Sequence, residues 1–133
     1  TGGSISGIGR FLKSKNPDIR VIGVEPITSA VIAGHQPGPH EIQGIGAGFV
    51  PDNLDRSVMD ECVKITDAEA FETARKLAQL EGIPAGISSG ATCAAALKIA
   101  QRPVFKGKRI VVIFASAAER YLSTRLYRDL LDH

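Results

Sequence analysis

Residues 109–114 constrain the fold more than any other segment, because they read R-I-V-V-I-F. An unbroken run of β-branched and aromatic residues, without polar alternation, is typical of a strand that is covered on both faces. Such strands occur in parallel sheets whose crossover helices lie on both sides. The segment therefore predicts a sheet buried between two layers of helices.

Helix and strand patterns alternate along the rest of the chain. Apolar residues at helical spacing predict four helices: residues 4–15, a stretch behind the T-x-x-E capping box of Thr66 and Glu69 that stops at Gly82, an alanine-rich stretch that ends near residues 102–103, and a C-terminal stretch with Leu122, Leu126, Leu130 and Leu131. Short apolar runs predict further strands at residues 19–24, 62–65 and 85–87. Residues 33–55 lack periodicity and predict a long ordered loop. We therefore expect a three-layer α/β fold with a mainly parallel sheet and helices on both faces, formed as one domain over residues 1–133.

The composition excludes several classes of partner. The net charge is only +2, and Lys and Arg are scattered, so a nucleic acid is not an expected partner. No apolar run is long enough to cross a membrane, and we expect a cytoplasmic protein. Cys62 and Cys93 are interpreted as two isolated thiols rather than a disulfide. His35, His40 and His133 form neither a metal-binding nor a catalytic-triad pattern.

The chain opens on Thr1-Gly2-Gly3-Ser4, which runs directly into a predicted helix. Glycines let the backbone approach a ligand, and the first helical turn presents free N–H groups at the positive end of the helix dipole. The hydroxyls of Thr1 and Ser4 add donors, so the segment suits a phosphate group. Taken alone, the pattern is more often ordinary turn chemistry.

Two further glycine-containing segments are candidates for a binding site. In Gly86-Ile87-Ser88-Ser89-Gly90, a predicted strand delivers two hydroxyls at its carboxyl end, where open α/β sheets bind ligands. Helix capping explains Ser89 better, whereas the residues alone leave Ser88 open between capping and binding.

The second segment is residues 43–51, which contains Gly44, Gly46 and Gly48 in an uncharged loop. Glycines spaced by two residues indicate backbone packed against a flat ligand or against another strand. Structural turns would explain them almost as well.

Five segments occur together in one order and spacing: T-G-G-S-I-S-G-I-G-R, V-I-G-V-E-P, P-G-P-H-E-I-Q-G-I-G-A-G-F-V-P, G-I-S-S-G and E-R-Y-L-S. Together they resemble the cysteine synthase (O-acetylserine sulfhydrylase) family over essentially the whole chain. The resemblance implies a fold type II pyridoxal-phosphate enzyme, similar to the β subunit of tryptophan synthase. Pyridoxal 5'-phosphate is therefore the expected cofactor.

The resemblance also implies roles for individual residues. Thr1, Gly2, Gly3 and Ser4 match the last four positions of the family's G-T-G-G-T phosphate loop, with Ser in place of the final Thr. Ser88 matches the first serine of the family's I-S-S-G motif, which hydrogen-bonds the pyridine nitrogen of the cofactor. Gly44 and Gly46 match a loop on the substrate side of the site. No metal site is implied.

A serine beside the pyridine nitrogen has a chemical consequence. A carboxylate there would hold the nitrogen protonated and make the ring a deep electron sink, which a hydroxyl cannot do. Weaker delocalisation favours prompt loss of a β-leaving group over transamination. The resemblance therefore implies β-replacement, in which O-acetylserine loses acetate and sulfide adds to give L-cysteine.

The lysine that bonds the cofactor in this family lies upstream of the matching segments, and no lysine of this chain occupies a comparable place. We therefore expect no catalytic residue within residues 1–133 and no activity from the isolated chain. The only methionine is Met59, and the chain opens inside a loop. This suggests a fragment, a processed chain or one half of a split protein, and the intact enzyme is expected to be a homodimer.

Two departures from the family pattern affect these expectations. The family's F-P-S-F-G-E-R-Y-L-S reads F-A-S-A-A-E-R-Y-L-S here, so Ala115, Ala117 and Ala118 should alter the turn after the last strand and affect reaction specificity or rate. Plant relatives dock serine acetyltransferase through K-P-G-P-H-K. Gln36 and Glu41 replace the two lysines of that segment, so docking of an acidic tail should be weaker.

Two alternatives stay open. Cystathionine β-synthase or β-cyanoalanine synthase activity would use the same first half-reaction with another nucleophile. The second alternative is a non-catalytic remnant that binds pyridoxal phosphate, another phosphate or a protein partner.

Overall fold

The computed structural model describes residues 1–131. His133 and the side chains of Leu130 and Leu131, which entered the sequence predictions, lie outside the described part. The regular elements are α1 (Gly3–Lys15), β1 (Ile22–Pro26), β2 (Glu61–Ile65), α2 (Asp67–Glu81), α3 (Ile87–Ala100) and α4 (Arg125–Leu131). Short 3₁₀ turns lie at Ile27–Ser29, Arg56–Val58, Pro103–Phe105 and Ala118–Tyr121.

The two strands form a parallel pair. Ile22 lies opposite Glu61, and Pro26 lies opposite Ile65, so the carboxyl ends of both strands meet at one edge. The long segment between them carries the chain back to start β2 in the same direction, as a parallel pair requires. The α/β class with a parallel sheet is therefore confirmed.

The core forms where α3 lies against the strands on one side and against α2 on the other. Its buried side chains come from β2, the helices α2 to α4, the 3₁₀ turn at Ala118–Tyr121 and the long loop: Ile42, Val63, Ile65, Ala70, Phe71, Ala74, Ile87, Ala91, Ala94, Ala95, Ile99, Tyr121 and Leu126. The β1 residues Ile22 and Val24 are partly buried against this cluster. The many alanines let the two helices approach closely. At Gly90 the approach is closest, because a Cβ atom there would overlap the carbonyl oxygen of Ala70 and lie 2.8 Å from the Cβ of Ala74.

The capping signals of α2 are confirmed. The Thr66 Oγ1 accepts the Glu69 backbone N–H at 3.1 Å, and the Glu69 carboxylate accepts the Thr66 backbone N–H at 2.8 Å. Both partners of the capping box are thus satisfied. At the other end, Gly82 adopts φ 66°, the left-handed conformation that glycine takes without steric cost.

The predicted strand at residues 85–87 is wrong. Ala85 forms one isolated antiparallel bridge with Ala117, and α3 begins two residues later at Ile87. The backbone N–H of Gly86 donates to Ser116, and that of Ala118 donates to Pro84, at 2.8 and 2.9 Å. This segment therefore crosses the chain after residue 114 instead of joining the parallel ladder.

The predicted strand at residues 109–114 is also not formed within residues 1–131. The segment has no ladder partner there, and Val111 and Ile113 are 83% and 53% exposed. It runs beside α3, where the Ile113 carbonyl accepts from the Thr92 hydroxyl at 3.2 Å. A strand requires a neighbour for its backbone groups, and the apolar composition of this run cannot supply one.

The C-terminal helix is confirmed in part. Leu126 is fully buried on α4, whereas Leu122 precedes the helix and is 52% exposed. The first turns here are stabilised by the Thr124 hydroxyl, which donates to the Tyr121 carbonyl at 2.6 Å. Within residues 1–131, no helix has the length and apolar character needed to span a membrane.

We predict that Gly90→Ala lowers the free energy of unfolding by about 2 kcal/mol, because the added methyl group must displace α2 backbone. Gly7→Ala is the matched control, since Gly7 lies on the exposed side of α1 with nothing within 4 Å of a new Cβ. Better helix propensity should raise its stability by about 0.5–1 kcal/mol. Urea unfolding measures both variants, and equal effects would contradict the close packing of α3 on α2.

Candidate functional site

The predicted phosphate loop forms the start of α1. Gly2 is the N-cap residue with φ 81°, and no side chain caps the helix. A Cβ atom at Gly2 would lie 2.7 Å from the Cβ of Leu54, so both the backbone angle and the space favour glycine. No acidic residue lies in the first turn, and Ser4 is exposed there. The first-turn N–H groups therefore remain available to an anion.

A serine that the sequence analysis did not single out fixes this loop. The buried Ser6 hydroxyl lies 2.6 Å from the Gly2 carbonyl and 3.1 Å from the Asn53 carbonyl, and it accepts the Asp55 backbone N–H at 2.8 Å. One hydroxyl thus joins the start of α1 to the end of the long loop. The only sequence signal for it was a second serine two positions after Ser4.

A cavity of about 340 Å³ opens beside Thr1. Its other walls come from the segment that follows the glycines: Ala47, Phe49, Pro51, Asp52 and Asn53. This volume is at the lower end of the range for small-molecule sites. Of the predicted site residues, Thr1 lines this cavity, whereas Gly2, Gly3, Ser4, Gly44 and Gly46 are not part of its lining. Ala47, which directly follows Gly46, brings the glycine-containing loop to the same cavity.

Ser88 lies in the first turn of α3 and is 8% exposed. Within the described chain its hydroxyl has no hydrogen-bond partner, whereas the Ser89 hydroxyl donates to the Ser116 carbonyl at 3.3 Å. Ser89 is not the helix cap that the sequence suggested, because Gly86 takes that position. Ser88 Oγ is not among the fully buried unpaired side-chain atoms of the described chain, which are Ser29 Oγ and Tyr127 Oη. The hydroxyl is accessible and can donate to a ligand such as a heteroaromatic nitrogen.

The glycine loop, residues 43–48, runs between these two places. Gly44, Gly46 and Gly48 have φ angles of 97°, 65° and 83°, which only glycine adopts readily. A Cβ atom at Gly44 would lie 3.6 Å from the Ser88 Oγ. The loop therefore starts against Ser88 and ends at the cavity beside Thr1.

His40 is a second residue that the sequence analysis did not assign to the site. Its Nε2 lies 2.8 Å from the Gly46 carbonyl oxygen, and its Nδ1 accepts the Ile42 backbone N–H at 3.1 Å. The imidazole thus connects the glycine loop to the chain just before it. The signal in the sequence was the P-G-P-H segment immediately ahead of the glycines.

The alanine substitutions after residue 114 are accommodated by ordinary backbone. Ala118 is buried and begins a 3₁₀ turn, and no non-glycine residue of the described chain has a positive φ angle. The Ser116 carbonyl accepts the Gly86 backbone N–H, and its hydroxyl lies 3.2 Å from the Tyr121 hydroxyl. This turn therefore holds the start of α3, and with it Ser88.

Two acidic residues outside the cavity, Asp55 and Glu61, have structural partners. The hydroxyl of Ser57 and the guanidinium of Arg10 lower the pKa of Asp55 to about 2. Asp55 caps the turn at Arg56–Val58 by accepting the Ser57 backbone N–H at 3.0 Å. Glu61 forms a bidentate ion pair with Arg102, with both N···O distances at 2.7 Å. This pairing lowers the pKa of the Glu61 carboxyl.

We predict that Ser6→Ala lowers the free energy of unfolding by about 1–3 kcal/mol, because it leaves buried backbone groups unsatisfied. It should also weaken binding of inorganic phosphate at the start of α1. Ser14→Ala is the matched control, since that hydroxyl also donates to a carbonyl of α1 but is exposed. Its effect should stay within about 0.5 kcal/mol. Urea unfolding and phosphate titration measure both, and equal losses would contradict the role of Ser6.

Cys62 provides a pH prediction. Burial, and then the neighbouring Glu25 carboxylate, raise the pKa of its thiol to about 12 from an ordinary 9.0. The folded protein therefore keeps the thiol protonated. The free energy of unfolding should fall as the pH rises from about 9 towards 12, because in that range the thiol ionises in the unfolded chain but not in the folded one.

In a Cys93→Ser variant, iodoacetamide should modify Cys62 at pH 8 about a thousandfold more slowly than a free thiol, because three pKa units separate the two thiolate populations. Unfolding in urea should restore the ordinary rate. A fast reaction in the folded state would instead identify Cys62 as a reactive nucleophile.

Known proteins share this architecture and these segments. Residues 1–116 match the family described as pyridoxal-phosphate dependent enzyme. Cysteine synthase 3 of Caenorhabditis elegans is 50% identical over 130 residues, which cover 98% of this chain and 39% of that protein. The chain therefore spans about two fifths of the length of this curated relative.

Solved structures give the same result. The cysteine synthase of Entamoeba histolytica superposes with a TM-score of 0.94 at 46% identity, over 96% of this chain and 38% of that one. The O-acetylserine dependent cystathionine β-synthase of Helicobacter pylori superposes with a TM-score of 0.84 at 47% identity, over 95% and 40%. The chain belongs to the pyridoxal-phosphate dependent enzyme family, and its resemblance to the cysteine synthases is confirmed.

Proposed function

We propose that this chain is the cofactor-facing part of an enzyme that makes L-cysteine from O-acetylserine and sulfide by β-replacement. The observation that carries the proposal is Ser88, whose hydroxyl has no hydrogen-bond partner within the described chain and lies beside Gly44. The glycine loop leads from this hydroxyl to the cavity beside Thr1. Ring nitrogen and phosphate thus find donors at two ends of one site.

The chain's own groups bind and orient the cofactor. Thr1, Gly2, Gly3 and Ser4 offer backbone N–H groups and hydroxyls to the phosphate, at the positive end of the α1 dipole. Pyridoxal phosphate, when bound, supplies a conjugated ring that withdraws electrons from the substrate Cα. The Ser88 hydroxyl is neutral and cannot hold a proton on the ring nitrogen as a carboxylate would. This supports elimination and replacement at Cβ over transamination.

The covalent bond to the cofactor would come from a lysine outside residues 1–131. None of the residues that line the cavity is a lysine. Three lysines make surface ion pairs instead: Lys13 with Asp60, Lys76 with Glu72 and Lys98 with Glu69. We therefore expect the isolated chain to bind pyridoxal phosphate without turning over substrate.

The proposal also covers the partners of the intact enzyme. A homodimer in the cytoplasm follows from the resemblance alone. Weak docking of serine acetyltransferase has structural support, because Glu41 forms an ion pair with Arg125 at 2.6 Å. An acidic tail that approached this loop would meet the Glu41 carboxylate, and the neighbouring Arg125 guanidinium is already paired with that carboxylate.

A different nucleophile is the principal alternative. The Helicobacter pylori neighbour is a cystathionine β-synthase that depends on O-acetylserine, so its name couples the same first substrate to another product. Cyanide would give β-cyanoalanine in the same way. The non-catalytic alternative rests on the altered turn after residue 114 and on the absence of the upstream lysine from this chain. The ordinary backbone of that turn removes the first ground, and the second stays.

A chimera tests the proposal. This chain replaces the matching 39% of Caenorhabditis elegans cysteine synthase 3, and product formation from O-acetylserine is measured with sulfide, homocysteine and cyanide in competition. We expect L-cysteine as the main product. Ser88→Ala should lower kcat/KM about tenfold, the effect of one lost hydrogen bond near the ring. Preference for homocysteine would instead favour cystathionine synthesis.

Two controls limit the interpretation. The isolated chain should give no product, and turnover by it would contradict the claim that the lysine lies elsewhere. A folded chimera that binds the cofactor but makes no product with any nucleophile would support the non-catalytic alternative. The absorption spectrum of the bound cofactor separates that result from simple misfolding.

A further inference from the structure

The imidazole of His40 contacts two backbone groups at once. Its Nδ1 accepts the Ile42 N–H at 3.1 Å, and its Nε2 lies 2.8 Å from the carbonyl oxygen of Gly46. The first partner is two residues away and the second is six residues away, inside the glycine loop. The ring therefore closes the loop on itself.

The two contacts select one protonation form of the ring. A nitrogen that accepts an N–H needs a lone pair, so the Nδ1 of His40 carries no proton. A carbonyl oxygen accepts only, so the Nε2 must donate its hydrogen to Gly46. The neutral Nε2–H tautomer satisfies both groups. The Nδ1–H tautomer and the imidazolium each place a hydrogen against the Ile42 N–H.

Close packing makes this contact restrictive. Gly46 has φ 65°, and a Cβ atom there would lie 2.6 Å from both the His40 Nε2 and the Pro26 Cγ. Pro26 is buried at the end of β1, so the loop is pressed between a strand terminus and the imidazole. Movement of the ring must therefore move Gly46.

Gly46 lies between the two places where the glycine loop approaches the candidate site. Two residues earlier, Gly44 faces the Ser88 hydroxyl, and one residue later Ala47 lines the cavity beside Thr1. A group that fixes Gly46 therefore also restrains Gly44 and Ala47. The resemblance to the family gives His40 no role of its own in cofactor binding.

We propose that His40 is a positioning residue, whose neutral Nε2–H tautomer holds the glycine loop against Ser88 at the separation that the cofactor ring needs. The identity of the ring rests on the proposed function. The hold on the loop is a property of the chain without ligand and can be measured by itself.

The first test needs no ligand. In ¹⁵N-labelled protein, the ring nitrogens of His40 should show the Nε2–H tautomer, and His40→Ala should shift the amide signals of Gly44, Gly46 and Gly48. His35→Ala is the matched control, because that exposed ring contacts Lys64 instead of the glycine loop. It should leave the three glycine signals unchanged.

Two conservative variants separate the two hydrogen bonds. The amide of His40→Gln can reach the Nε2 position and donate to Gly46, whereas the amide oxygen of His40→Asn occupies the Nδ1 position and accepts only from Ile42. The glycine signals should return towards those of the parent chain in His40→Gln and remain shifted in His40→Asn. If the glycine signals are the same in the two variants, the hydrogen bond to the Gly46 carbonyl is not what holds the loop, and the inference is overturned.

The second test uses pyridoxine 5'-phosphate, which has the ring and phosphate but no aldehyde to react with surface lysines. Its Kd should rise about tenfold in His40→Ala, recover in His40→Gln and stay unchanged in His35→Ala. Equal binding by the parent chain and His40→Ala would overturn the inference. A third outcome is that the parent chain shows the Nε2–H tautomer and His40→Ala shifts the three glycine signals, but the parent chain does not bind the probe. In that case the proposed function fails, whereas the role of His40 in holding the loop stands.

Discussion

The close approach of α3 to α2 at Gly90 is the contact on which the rest of the structure depends. Because no side chain separates the helices there, α3 can fill the space between α2 and the two strands. Its first turn is then held by the Ser116 carbonyl, which accepts the backbone N–H of Gly86 and the hydroxyl of Ser89. These two restraints fix Ser88, so a packing contact in the core determines where a ligand donor lies.

The sequence predicted the elements whose stability is local. The capping box at Thr66, the glycine stop at Gly82 and the amphipathic pattern of α2 lie within a few residues of one another, and each formed as expected. The parallel strands were also found, with ends displaced by at most three residues. The predicted strand at residues 85–87 failed for another reason. An extended segment becomes a strand only when a ladder receives it, and these residues cross another chain segment.

The sequence was less informative about the polar contacts of the site. Glycines and serines could be noticed because their order matches a family, but the partner of each hydroxyl depends on long-range geometry. Ser6 bonds residues 47 and 49 positions away. Ser88 and Ser89 are adjacent and chemically identical, and only the fold shows that one is engaged by Ser116 and the other is unpaired within the described chain. His40 stands in the P-G-P-H segment, but that segment does not show that the imidazole contacts the backbone of Gly46.

The exposed run at residues 109–114 and the Ser88 hydroxyl share one feature, which is the lack of a partner within the described chain. Within residues 1–131, the run has no neighbouring strand and the Ser88 hydroxyl has no hydrogen-bond partner from the protein. In the same part of the chain, β1 pairs with β2 alone. In the proposed enzyme, the remaining three fifths of the fold would supply both the lysine and the strand contacts. The groups proposed to serve the cofactor lie on α1 and α3, and these helices also carry exposed apolar side chains, Phe11 and Leu97.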